Sequence, residues 1–132
     1  MKSKKITAFL LIFALMVCTV SLFSTTVSAR WVNTMGISCE VTFSSRTATC
    51  NGDIDALSGS TISGTLTLYK KNGSSWDYVT SWNKSSSSSS LTINEKYTVN
   101  SAGTYRVTLT GTVTRNGTSE YVYITSNEKS CN

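Results

Sequence analysis

Over residues 30–132 the apolar positions fall in short alternating runs, and no segment keeps the three-to-four-residue spacing of an amphipathic helix. The runs cover approximately Met35–Phe43, Thr47–Leu57, Thr61–Lys71, Trp76–Asn83, Ser90–Val99, Thr104–Arg115 and Thr118–Ser126. Gly, Asn and Ser separate them, and the chain contains no proline. About seven short strands in some hundred residues, with a turn signal between most of them, predict an all-β sandwich.

Two of the separators are Asn-Gly pairs, Asn72-Gly73 and Asn116-Gly117. Both residue types tolerate the positive φ that a tight hairpin requires. A two-residue loop at Asn116-Gly117 sets Val113 opposite Glu120, Gly111 opposite Val122 and Leu109 opposite Ile124. Tyr105, Val107, Leu109 and Val113 then share the core face with Val122 and Ile124. Arg106, Thr108, Thr110, Thr112, Tyr121, Tyr123 and Thr125 face away.

The Asn72-Gly73 hairpin leaves its faces open. A two- or four-residue loop puts Tyr69, Trp76, Tyr78 and Trp82 together, away from Leu66, Leu68 and Val79. A three-residue loop reverses the parity and brings Trp76, Tyr78 and Trp82 inside with Leu66 and Leu68. Gly64, taken as facing Trp82, would make room there for an indole. Trp82 is assigned to the core, Trp76 and Tyr78 to neither side, and Tyr121 and Tyr123 to the surface.

The stretch NSAGTYRV, residues 100–107, lies between two alternating runs. Its Ser101–Tyr105 segment is similar to the tyrosine corner of immunoglobulin-like domains, and Leu91 and Ile93 lie upstream as in the preceding strand of that fold. The resemblance implies that the Tyr105 hydroxyl bonds back to the chain a few residues earlier. Val107 stands where antibody-type domains carry a cysteine, so the likeness is to a bacterial-type immunoglobulin-like sandwich. The segments TLTLYKKNGSSWDYVTSWNKSSSSSSL and AGTYRVTLTGTV also resemble small exported proteins of Gram-positive bacteria, a family classed as a domain of unknown function. That resemblance implies a secreted β domain and carries over no catalytic residue.

The first 29 residues have a basic start, an apolar stretch and the small-residue ending Val27-Ser28-Ala29, the order of a secretory leader. Cleavage after Ala29 is expected, leaving residues 30–132 as one immunoglobulin-like β-sandwich domain. Cys18 in LMVC is similar to a lipoprotein signal, except that Val17 precedes it. The six serines at 85–90 read as a mobile loop crossing one end of the sandwich. A linker there would leave two pieces too small to bury a core. Without the leader, nine Lys and Arg face seven Asp and Glu, a formal charge of +2, and the basic residues are scattered. That pattern argues against nucleic acid, and against a membrane once the leader is gone.

Three cysteines remain in a chain expected outside the cell, where disulfides form. Cys39 and Cys50 lie equally far from Ser44-Ser45 on either side. With a turn at SSR they face each other across a hairpin, within reach of a bridge. A Cys39–Cys50 disulfide is therefore expected, with Cys131 free or paired between chains. The competing arrangement ties Cys131 to one of the first two.

The chain has no histidine, which removes the commonest general base and metal ligand. Asp53 and Asp55 share one strand face about 7 Å apart, and with nothing else around them that could serve sugar hydrolysis they read as a solvated strand. The segment NGDID would line its oxygens along a strand rather than around a cation. No catalytic residue, metal or cofactor is expected. Tyr69, Trp76, Tyr78, Tyr121 and Tyr123 are the candidate binding surface, suited to sugars or to a protein partner. The expectation is a secreted, non-catalytic module that binds a glycan or protein of the cell envelope. A small secreted effector or toxin-like protein is the alternative.

Overall fold

The computed structural model describes residues 31–132. The expected leader, its cleavage site after Ala29 and Cys18 lie outside the described residues. Eight strands follow in order: β1 Thr34–Ser44, β2 Thr47–Ala56, β3 Thr61–Asn72, β4 Ser75–Ser86, β5 Ser90–Thr98, β6 Gly103–Arg115, β7 Thr118–Thr125 and β8 Lys129–Cys131. They form two antiparallel sheets, β1-β2-β5 and β4-β3-β6-β7, with the short β8 also pairing with β6. This is an immunoglobulin-like sandwich with its fourth strand on the larger sheet.

The core comes from alternate residues of both inner faces, as two packed sheets require. Val41, Ala48, Cys50, Ile54, Leu91 and Ile93 from the small sheet meet Ile62, Leu66, Leu68, Val107, Leu109 and Val113 from the large one. Tyr105 is 1 % exposed and tilts against Phe43, with ring centroids 5.3 Å apart. Its hydroxyl donates to the Ser101 carbonyl at 2.6 Å, so the tyrosine corner expected from NSAGTYRV is present. It fixes the crossing from β5 on one sheet to β6 on the other.

The β6–β7 hairpin has the expected register, Val113 opposite Glu120 and Leu109 opposite Ile124. Asn116 and Gly117 both have positive φ, 51° and 77°. At the β3–β4 hairpin the turn sits one residue later than the Asn-Gly pair suggests. Asn72 pairs with Ser75, and Gly73 takes the positive φ of 61°. A bulge then falls between Leu68 and Tyr69, leaving Val79 as the extra residue of β4. Both parities therefore occur on one strand. Before the bulge Tyr78 faces Tyr69 and Trp76 faces Lys71, and after it Trp82 faces Leu66 and packs on the core. Gly64 faces Lys84 rather than Trp82, and Leu91 from the other sheet fills the space above it.

The β1–β2 turn is also displaced by one residue. Ser44 pairs with Thr47, and Ser45 carries the positive φ of 53°. Cys39 consequently faces Gly52 and Cys50 faces Val41. The expected Cys39–Cys50 disulfide is absent and the three cysteines among the described residues are free, because diagonal partners on a ladder stand about 7–8 Å apart, too far for a bridge. Cys131 does not join either of them. It is buried beside the first turn, where its thiol donates to the Ser45 carbonyl at 3.5 Å. Half of the serine run extends β4 and opens β5, and the other three residues, Ser87 to Ser89, make the crossing.

Candidate functional site

Strand alternation turns one residue in two of β4, β3, β6 and β7 away from the core. Across the sheet these residues stand in rows. Asn83, Thr65, Thr110 and Tyr123 form one, and Ser85, Ser63, Thr112 and Tyr121 the next. Neighbouring rows add Ser81, Thr67, Thr108 and Thr125, then Tyr78, Tyr69 and Arg106. The outer face of the large sheet is thus a field of hydroxyls and amides with aromatic rings at two of its borders.

Part of this field is shaped. A depression of about 320 Å³ is lined by Ser63, Thr65, Asn83, Ser85, Thr110 and Thr112, with Tyr121 as a wall. A second, of about 360 Å³, continues from Ser63, Ser85 and Thr112 toward Thr61 and Ser87. Inside the first, Thr65 donates to Asn83 Oδ1 at 2.6 Å. Beside it Thr125 donates to the Tyr123 hydroxyl at 2.9 Å, which orients that ring. Tyr121 and Tyr123 are 66 % and 54 % exposed.

The five predicted surface aromatics all lie on this face, in two groups. Tyr121 and Tyr123 border the depression on β7. Tyr69, Trp76 and Tyr78 stand at the turn end of β3 and β4, where Tyr78 is exposed and its hydroxyl is 3.2 Å from Ser81 Oγ. Trp76 lies under a cation, with the Arg106 guanidinium carbon 4.0 Å from its ring centroid and Lys71 Nζ 5.6 Å away. Lys71 also pairs with Glu128 at 3.0 Å, a solvent-exposed contact of small energetic weight. Sequence reasoning had placed Arg106 and the threonines outward without making them site residues. Their signal was the unbroken polar alternation along β6.

The other candidate groups have structural partners. Asp53 accepts from the Thr92 hydroxyl at 2.7 Å and Asp55 from that of Ser90 at 2.9 Å, both on the outer face of the small sheet. The Cys39 and Cys50 thiols lie between the sheets. Burial pushes Cys50 up to about 12. Burial raises Cys39 as well, against a smaller lowering by a backbone hydrogen bond at Leu109. Both are protonated at neutral pH and poor nucleophiles. Glu120 has a different role. Its carboxylate accepts the backbone N–H groups of Val32 and Asn33 at 2.5 and 2.8 Å, and the N–H and hydroxyl of Thr34 at 3.1 and 3.0 Å. It ties the segment entering β1 to β7.

No family model matches the chain, and no curated protein matches it. Among solved structures it is similar to wild-type OgpA from Akkermansia muciniphila, at a TM-score of 0.43 and 14 % identity over 83 % of this chain. It spans about a third (34 %) of that protein's length.

Proposed function

We propose that this chain is a secreted, non-catalytic binding module, and that it holds a glycan of the cell envelope or its surroundings on the outer face of the large sheet. The observation that carries this reading is the depression lined by Ser63, Thr65, Asn83, Ser85, Thr110 and Thr112 beside exposed Tyr121. A sugar offers hydroxyls that exchange hydrogen bonds with such side chains, and C–H faces that lie against an aromatic ring. A tyrosine supplies that ring at low conformational cost and keeps a polar tip in water. The site is shallow and polar where pockets for small apolar molecules are deep and apolar. The leader-like order of residues 1–29 supports export. The absence of histidine, and the commitment of Asp53 and Asp55 to Thr92 and Ser90, favour binding over turnover.

A glycan array followed by calorimetry on the best hit tests the proposal. Tyr121→Ala combined with Tyr123→Ala is expected to weaken binding at least tenfold. The melting temperature should stay within a few degrees, because both rings are exposed. A blank array, or a hit that the double variant binds as well as the wild type, would sink the reading.

A further inference from the structure

Among the described residues one cation of the outer face has no counter-charge. Alternation along β6 sets Arg106 in the same outward line as Thr108, Thr110 and Thr112. Its guanidinium stacks on Trp76, which holds the plane in place without using any of its N–H donors. Among the described residues the one ion pair is between Lys71 and Glu128. Arg106 Nε is buried with no acceptor. Asp77, opposite Lys70 in the ladder and turned to the other face of the strand, accepts from Asn72. Acidic side chains gather instead on the small sheet, where Glu40, Asp53 and Asp55 share the outer face with Lys96.

An unpaired, pre-oriented guanidinium matches a planar or tetrahedral oxyanion, which it can meet with two parallel N–H donors. Arg106 and Thr112 are six residues apart on one strand, about 20 Å at the usual rise. That length suits an extended oligosaccharide with its charge at one end and tyrosine at the other. We infer that the ligand of this face is an anionic glycan. Arg106, stacked on Trp76, receives its carboxylate or sulfate, while the hydroxyl row and Tyr121 take the adjoining sugars. The inference rests on the glycan reading above.

The test measures binding of the full folded domain to two matched probe pairs by calorimetry. Oligogalacturonate against its methyl ester isolates a carboxylate, and dextran sulfate against dextran isolates a sulfate. In one pair the charged form is expected to bind at least tenfold tighter than the neutral one, with the difference shrinking as salt is raised. Arg106→Gln should abolish that preference, read as the ratio of the affinities for the charged and neutral forms. Arg106→Lys, which keeps the charge and loses the fork, should retain part of it. Equal binding of charged and neutral forms in both pairs would overturn the inference, as would a preference that survives Arg106→Gln. If neutral probes still bind and Tyr121→Ala removes that binding, the module reading stands without it. Failure of every probe and of the array overturns both.

Discussion

Gly64 and Gly111 face each other on β3 and β6, and their missing side chains set how closely the two sheets approach. A Cβ on Gly64 would come within 2.7 Å of Leu91 Cδ2, the flexible end of a side chain. A Cβ on Gly111 would lie 2.5 Å from Ile54 Cδ1 and 2.9 Å from the Ser63 carbonyl oxygen. The second clash is with backbone inside a ladder and is not relieved by a rotamer change. Gly111→Ala gains roughly 0.5–1 kcal/mol from the lost glycine flexibility but meets an overpacking cost of about 1–3 kcal/mol. Net destabilisation is therefore expected, read as a lower urea midpoint at unchanged slope. An unchanged midpoint would mean that the sheets can part at this point. Pairing of Gly111 with Val122 was legible in the sequence, since alternation and one Asn-Gly turn determine it. The close approach of Ile54 was not, because a sequence gives no measure of the gap between sheets.

The boundaries of the seven expected strands fall within about three residues of those observed, and most errors trace to turns. A displacement of one residue at Ser45 moved Cys39 from Cys50 to Gly52 and cost the expected disulfide. A tight turn usually announces its positive φ through Gly or Asn, and here a serine adopts it. On β4 neither proposed loop length was sufficient, since the bulge at Val79 reverses the parity midway. It directs Tyr78 outward and Trp82 inward, and so assembles one border of the candidate site. Strand β8 escaped notice because three residues with a single apolar side chain carry no alternation. The corner at Tyr105 was the element best announced by its residues. It can be isolated with Tyr105→Phe, which keeps the ring against Phe43 and removes only the bond to Ser101. Ser101 is at the surface, so water can take over its carbonyl. The expected loss is about 0.5–1.5 kcal/mol, well short of the ~3–5 kcal/mol for deleting a large buried ring. Chemical denaturation of Tyr105→Phe beside Tyr105→Ala checks both figures.

At the scale of the whole molecule the sandwich is held by its core and by a few ties between edges. Glu120 makes one of these ties. It lies on β7 of the large sheet and receives four hydrogen bonds from Val32, Asn33 and Thr34, at the entrance to β1 of the small sheet. Partial desolvation pushes its carboxyl up. The bonds from Asn33, Val32 and Thr34 together outweigh that effect and hold it below the usual carboxylate range. With a folded value below the unfolded one, the charged clasp stabilises the protein at every pH above about 4.3, the ordinary glutamate value. That contribution is lost as pH falls through the folded value and the carboxylate takes up a proton. Glu120→Gln keeps the shape of the side chain and removes its charge. The variant should melt below the wild type at pH 7, and the gap should narrow steadily below about pH 4.3. Common losses from other carboxylates cancel in the difference. Relative to the intrinsic exchange rate at the same pH, protection of the Asn33 and Thr34 amides should fall in the variant at pH 7 and in the wild type on acidification. A melting gap that stays constant from pH 7 to pH 2.5 would show that the charge of Glu120 does not hold the two sheets together at this edge.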